Sequence, residues 1–407
     1  MTRVFITGVG VNSPYGHSFQ LFSDGILNGV SMISPITRFD TTPLPYHLGA
    51  ETADPPRVDG VSVKDWHRMD RSSKMALDTV SQAMVQAQVT PGELNPLAWG
   101  CMVGSTLGGM DNGARYYQKW LAHRHGYAAH LLDYPMYACT SHVSQRYGFK
   151  GTNTVISTAC SSSLVALGLA ADYIRSGRYD GMVVCGIDVL LPLTWAGFGI
   201  LRNMTTSVPR PFDKHRNGLV LGEGCVSVII ESEAHLNRRT QRPLAEVLGY
   251  AVTSDAYHMT APDITGQGAA EAMSRAIQSS GMVPDDIHYI QAHGTGTVHN
   301  DAMEVRAVRR VFGSEGKGPP ISSVKSMIGH TLGASGLFGV LTGLVAMANQ
   351  ALPPTAHYET LDPNCDWDVV PNHQRPAAVK TVLVNAFGFG GSNAALVLKK
   401  VERKDPT

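Results

Sequence analysis

The sequence predicts an α/β protein built from two copies of one strand–helix unit. β-branched strands alternate with alanine-rich helical runs along its 407 residues, glycine occurs 42 times without a Gly-X-Y period, and the same order of parts recurs in the two halves. Short strands separated by helical runs place helices on the faces of a buried sheet. Glycine at this frequency marks tight turns and close backbone approaches. The chain exceeds the roughly 100–200 residues of a usual domain, so two units are expected.

Strands are expected at residues 4–9, 99–103, 154–156, 181–185 and 227–230, then at 245–250, 289–292, 382–384 and 394–398. Apolar positions at helical spacing predict helices over 72–88, 161–176, 268–280, 302–311 and 334–350. In the first half a strand runs into the turn 104–109, another opens a helix at Cys160, and a third ends near Gly186. In the second, a strand runs into 293–297, a segment around Lys325 opens a helix after His330, and a third ends in 388–391. Residues 1–242 make the first unit and 243–407 the second, joined at the charged stretch 231–242 and Pro243. Halves packed back to back would gather these loops at one central site.

Composition narrows the function. With 33 Lys+Arg against 33 Asp+Glu the formal charge is zero, which opposes a nucleic-acid partner, because phosphate-backbone affinity rests on Lys and Arg. Cys101, Cys139, Cys160, Cys185, Cys225 and Cys365 form no CxxC pair and read as reduced thiols of a cytoplasmic protein. The apolar run 337–348 is interrupted by Gly339, Thr342 and Gly343 and falls short of the ~20 residues of a bilayer span, so no membrane span is expected.

Cys160 follows a strand and precedes a helix, in Thr158-Ala-Cys-Ser-Ser-Ser163. Unpaired N–H groups at a helix start favour thiolate over thiol, so this cysteine is the candidate nucleophile, while the other five read as small buried hydrophobes. His293 and His330 each sit in a glycine-rich turn, where backbone fixes one ring nitrogen and leaves the other free to face a cavity. One such histidine alone would be as readily structural; two beside a strand-to-helix cysteine point to a catalytic cluster. Metal binding is the rival reading, yet neither HExxH nor paired Cys/His spacing occurs. Lys325, if buried, needs a partner, and Glu304 is the natural one; a solvated surface pair is the alternative. The turn Gly388-Phe-Gly-Gly391 lacks the features of a phosphate loop and could supply an oxyanion-hole N–H beside that of Cys160.

Together these motifs resemble a β-ketoacyl-acyl-carrier-protein synthase, the ketosynthase branch of the thiolase superfamily. The resemblance runs in order through Val4-Phe-Ile-Thr-Gly-Val-Gly10, the Cys160 motif, Arg210-Pro-Phe-Asp-Lys214, Leu221-Gly-Glu-Gly224, Ser254-Asp-Ala-Tyr-His-Met-Thr-Ala-Pro262, Ala292-His-Gly-Thr-Gly-Thr297, Lys325-Ser-Met-Ile-Gly-His330 and Asn385-Ala-Phe-Gly-Phe-Gly-Gly-Ser-Asn393. It implies a thiolase-like fold, with duplicated βαβαβ halves forming a five-layered α-β-α-β-α core. It also implies that Cys160 takes the acyl chain, that His293 and His330 polarise a malonyl thioester, and that Lys325 and Glu304 orient them. Cys160 and Phe389 would supply the oxyanion hole, with Phe389 also a gate. Thr295 and Thr297 would bind the phosphopantetheine arm, Leu107 would line the acyl pocket, and Gly390 and Asn393 would be further substrate-binding positions.

The resemblance implies no cofactor, since the substrates ride on acyl carrier protein, and a homodimer or a heterodimer with a chain-length factor. An acidic carrier would dock on basic residues, with Lys64, Arg68, Arg71, Lys74, Arg124, Arg202 and Arg210 as candidates. Cys160-Ser-Ser-Ser163 resembles polyketide ketosynthases, whereas 254–262 resembles the type II elongation enzyme, a combination expected of a discrete ketosynthase of polyketide or specialised fatty-acid synthesis. Two alternatives share the fold. A chain-length-factor subunit would lack the nucleophile, and a coenzyme-A-dependent thiolase would carry a second cysteine that the turn 387–393 does not contain.

Overall fold

The computed structural model describes residues 2–123, 128–239, 241–313 and 318–402. Its main sheet has ten strands: β1 (Val4–Asn12), β2 (Trp99–Gly104), β3 (Asn153–Ile156), β4 (Gly181–Asp188), β5 (Gly224–Ser232), β6 (Ala245–Ser254), β7 (Tyr289–Gln291), β8 (Ile321–Ser322), β9 (Thr381–Gly388) and β10 (Ser392–Lys400). Among the described residues, six helices of ten or more residues cover it: α1 (Arg71–Ala87), α2 (Ala138–Tyr147), α3 (Ser162–Arg175), α4 (Gln267–Ser279), α5 (Val298–Phe312) and α6 (Ser335–Asn349).

The duplication is complete in order and direction. The first half lays its strands outward from the centre as β1-β5-β4-β2-β3, and the second as β6-β10-β9-β7-β8. In each, the outer three strands are parallel and the inner pairings antiparallel. Each half contains the expected βαβαβ unit and continues through a third helix into an antiparallel strand pair. The halves are also stitched edge to edge, since β1 pairs with β6 at Phe5↔Glu246 and Ile6↔Ala245.

Burial explains the layering. One apolar cluster draws on α3, α6 and strands of both halves, and these two helices form the middle layer. A second cluster lies under α1 and α2, and a third under α4 and α5, which gives α-β-α-β-α. Helices that face a sheet on both sides must be apolar all round. In α6 every residue from Ser335 to Met347 is buried. The stretch Leu332–Asn349, mean hydropathy 1.5, is longer than the interrupted run read from sequence and apolar enough to cross a bilayer, but 89% of it is buried inside the protein.

The charged stretch expected at the join begins inside the fold instead. Glu231 is the penultimate residue of β5, fully buried, and accepts bonds from Thr7, from Arg239 at 2.8 Å and from His235 at 2.6 Å. Opposite this strand α1 rests directly on β1. A Cβ at Gly10 would lie 1.9 Å from the carbonyl oxygen of Thr79 on α1. Gly10→Ala should therefore force helix and sheet apart and destabilise the protein by roughly 1–3 kcal/mol, an overpacking cost read as a lower urea midpoint; an unchanged midpoint would show that α1 shifts freely on β1.

Candidate active site

Three segments of the first half and four of the second meet at one cavity of about 320 Å³, lined among others by Cys160, His293, His330, Thr295, Thr297 and Phe389. Cys160 sits between β3 and α3, after Ala159, whose φ of 52° is unusual for a residue with a side chain and bends the chain sharply before the sulfur. His330 occupies the corresponding place in the second half, between β8 and α6, and His293 follows β7. One ligand-type atom from each of Cys160, His293 and His330 falls within 4.8 Å of the others. The imidazole rings meet edge to face, 5.4 Å between centroids.

Hydrogen bonds fix the tautomer of each imidazole. The amide of Leu332 lies 3.0 Å from Nδ1 of His330, and because an amide can only donate, Nδ1 accepts and Nε2 carries the proton. Ser335 Oγ, 3.1 Å from the same Nδ1, supports it. Nε2 is buried without a protein partner. On His293, Lys325 Nζ lies 3.4 Å from Nδ1 and also donates to the carbonyl oxygen of His293. Burial lowers the Lys325 pKa to about 8, with Glu304 opposing, so near neutrality it is an ammonium and donates. His293 too therefore carries its proton on Nε2. Burial, with the Lys325 charge, holds both imidazoles well below their usual pKa, which keeps them neutral.

The same geometry bears on the metal reading. The spacing of the three atoms would suit a divalent cation, but both Nε2 lone pairs are already protonated, and each Nδ1 that would have to take the proton accepts from a fixed donor. A cation here would have to break those bonds, so the donor set fits hydrogen-bond donation better than metal ligation.

Glu304, expected to pair with Lys325, instead accepts from the amides of His293 and Gly294, each at 2.8 Å, and from Asn385 at 3.1 Å, and it acts on the lysine through space. Burial raises its own pKa. A Cβ at Gly294, φ 41°, would lie 2.5 Å from Ser323, whose hydroxyl donates to the Gly294 carbonyl at 2.6 Å. Glycine there lets the histidine turn seat against the lysine segment.

The thiol departs from expectation. Burial pushes its pKa up to about 11; Lys325 and the N–H groups of Phe389 and Cys160 pull the other way. Desolvation outweighs the helix start, and the resting group is a neutral thiol. The serines after it have separate tasks: Ser162 accepts from Thr158 N–H at 2.9 Å to close the turn, Ser163 accepts from Leu337 N–H at 3.0 Å to tie α3 to α6, and Ser161 reaches Ser392 at 3.0 Å.

Phe389 stacks on Phe198, 5.4 Å between centroids. Segment 254–262 folds over its turn: Gly390 N–H donates to the Met259 carbonyl at 2.7 Å, and Asp255 N–H to that of Gly391 at 2.9 Å. Gly390 and Asn393 both line the cavity, but the Asn393 amide is committed to Asp255 at 2.7 Å. Thr295 and Thr297 share a hydroxyl contact of 2.8 Å at the wall. Leu107 does not line this cavity; its side chain is half-buried between two apolar clusters. Its amide is held at 2.9 Å by Asp188, which also binds Ser105 Oγ at 2.8 Å and Gly333 N–H at 2.6 Å. Asp188 and Phe198 escaped sequence reasoning, as did the roles of Asp255, within the quoted 254–262 motif, and of Asp301, which accepts from the Thr295 amide at 3.0 Å and the Gly296 amide at 3.1 Å. The signal for Asp188 was an acid closing an otherwise apolar strand.

The basic residues divide. Lys64 and Arg202 are exposed, Arg202 at the cavity, and Arg68 is half-buried. Arg71 is buried and bonded to Glu223 at 2.8 Å, Arg210 is paired with Glu359 at 2.5 Å, and Lys74 is half-buried. Arg71 is therefore structural, because its guanidinium faces inward. Arg124 lies outside the described residues.

Duplicated five-stranded halves sharing one cysteine-centred cavity define a thiolase-fold enzyme. Within that class the chain belongs to the beta-ketoacyl synthase family: the family model "Beta-ketoacyl synthase, N-terminal domain" matches residues 1–235 and "Beta-ketoacyl synthase, C-terminal domain" residues 244–359. It is 35% identical to 3-oxoacyl-[acyl-carrier-protein] synthase 2 of Coxiella burnetii, over 98% of this chain and 99% of that one. It is 36% identical to the tetracenomycin polyketide synthase ketoacyl synthase alpha subunit of Streptomyces glaucescens, over 98% and 97%. The solved ishigamide ketosynthase/chain length factor superposes with a TM-score of 0.94 at 31% identity, covering 98% of this chain and 100% of that one. The protein is thus an acyltransferase of the ketosynthase type, in fatty-acid or polyketide synthesis.

Iodoacetamide should modify Cys160 alone among the six cysteines, since of these buried thiols it is the one that lines the cavity. With a thiol near 11 the rate should climb about tenfold per pH unit from pH 7, and less steeply above pH 8 as Lys325 loses its charge; peptide mapping against pH checks both, and a rate already flat at pH 7 would mean a resting thiolate.

Proposed function

We propose that the protein joins an acyl group held on Cys160 to a malonyl unit carried by acyl carrier protein, in a decarboxylative Claisen condensation. The carrying observation is the pair of Nε2–H donors, one buried without a partner, on rings that share their cavity with Cys160, the one thiol lining it among the described residues.

In the first step Cys160 sulfur attacks the acyl thioester, the C–S bond to the pantetheine arm breaks, and the sulfur's proton ends on the departing thiol. The histidines are not the base, as each Nε2 is already protonated. The Lys325 charge and the start of α3 favour sulfur anion as it forms. In the second step the malonyl carbonyl oxygen accepts both Nε2–H bonds, the bond to the carboxylate breaks, carbon dioxide leaves, and the electron pair becomes an enolate held by the two donors. That carbon attacks the acyl-Cys160 carbonyl, whose oxyanion accepts from the N–H groups of Cys160 and Phe389. Collapse expels the Cys160 thiolate, which takes a proton from solvent. Thr295 and Thr297 hold the arm, and no step calls for a cofactor.

Other readings complete the picture. The chain divides at 242/243 into a half bearing the nucleophile and a half bearing the donors. Carriers dock on the exposed basic residues Lys64 and Arg202; a solved relative at 28% identity is a type II acyl-carrier protein in complex with its ketosynthase. The half-exposed edge strand β3 suits pairing with a second subunit, an identical chain or a chain-length factor. Six free buried thiols accord with the cytoplasm.

Replacing His293 or His330 by Ala should slow malonyl decarboxylation about 10²–10³-fold, the usual cost of one oxyanion donor, while acylation of Cys160, followed by intact mass, stays measurable; equal loss of both half-reactions in a folded variant would overturn the assignment. Arg202→Glu should raise KM for carrier-bound substrate several-fold, more so at low salt, and leave kcat on a short pantetheine thioester unchanged. An unaltered KM would move the docking face elsewhere.

A further inference from the structure

The two N–H groups proposed for the oxyanion hole belong to different halves: Cys160 to the β3–α3 turn and Phe389 to the β9–β10 turn. Their spacing is therefore set by how the turns meet, and two contacts govern it. The first is steric. A Cβ at Gly388 would lie 2.9 Å from the Thr158 carbonyl oxygen and 3.2 Å from Cys160 N, so one backbone rests on the other. The second is a pair of hydroxyls. Ser161 is fully buried and stands at the cap position of α3, yet its side chain does not cap the helix. Its Oγ lies 2.7 Å from the Thr158 carbonyl oxygen and 3.0 Å from both Thr158 Oγ1 and Ser392 Oγ. With one proton, Ser161 donates to the carbonyl and accepts from Ser392. Ser392 ends the Phe389 turn and begins β10, so this hydroxyl bridge clamps the second half's turn onto the nucleophile's turn.

We propose that Ser161 and Ser392 are positioning residues that hold the Cys160 and Phe389 N–H groups at the separation an oxyanion needs. The proposal rests on the oxyanion-hole reading of those two groups. The bridge touches neither histidine, so it acts on the acyl-Cys160 carbonyl and not on decarboxylation.

The test uses the whole enzyme, acylated with a ¹³C-carbonyl chain, and reads the thioester carbonyl band by isotope-edited infrared together with the rates of the two half-reactions. Ser161→Ala and Ser392→Ala should each shift the band to higher wavenumber and slow acylation about tenfold at unchanged KM, the scale of one lost hydrogen bond. Decarboxylation should stay within about twofold, Ser161→Ala/Ser392→Ala should be no slower than the slower single variant, and Ser392→Thr should keep band and rate. Ser392 is half-buried, so its variants report even where Ser161→Ala folds poorly. An unmoved band in folded variants, or equal slowing of decarboxylation, overturns the positioning role. A wild-type band already at the frequency of the same thioester in water would show that the turns form no oxyanion hole, and the proposal would fall with that reading.

Discussion

Everything chemical in this site depends on one constraint: Nδ1 of each buried imidazole is occupied by a donor that cannot switch roles. For His330 that donor is the amide of Leu332, and for His293 the ammonium of Lys325. Burial alone would leave two neutral rings free to choose either tautomer. The fixed donors choose for them, and both remaining protons sit on Nε2 of rings that line the cavity with Cys160. Glu304 sustains the arrangement from behind by holding the His293 turn and favouring the lysine's charge, although desolvation raises its own pKa. A site arranged this way stabilises negative charge arriving on an oxygen and is poorly suited to removing protons.

The duplication explains why the parts come together. Cys160 and His330 stand at matching positions, each between the third strand of its half and a helix of the middle layer. Because α3 and α6 pack on each other and against both halves, their starts are neighbours. The same fold position thus carries Cys160 in one copy and His330 in the other. Asp188 links the copies again, since its buried carboxylate binds the 105–107 turn and Gly333 next to His330.

Much of this was legible in the sequence, for physical reasons. Buried strands such as Gly181–Asp188 and all-round apolar helices such as Ser335–Asn349 have patterns that only a layered α/β core explains. Cys160, His293 and His330 stood out because glycine and small residues surround them. Helix Ala138–Tyr147 escapes sequence reading because its mixed polar sequence carries weak periodicity, whereas Met110–His123 is overlooked although its apolar positions recur at helical spacing. Interactions between distant turns were illegible: that Glu304 grips backbone instead of lysine, that Arg71 turns inward to Glu223, and that Leu107 packs away from the cavity are decided by tertiary packing. The raised thiol pKa belongs here too, because a helix start is local whereas desolvation is set by the whole fold.

The middle layer has a consequence for how the protein comes into being. Either half alone would uncover the largely apolar face of its middle-layer helix that its twin buries. The strand β10 that completes the second half lies at the very end of the described chain, and His293, His330 and Phe389 all come from sequence beyond residue 290. A chain emerging from the ribosome would carry Cys160 well before the turns of His293, His330 and Phe389 that close the cavity around it.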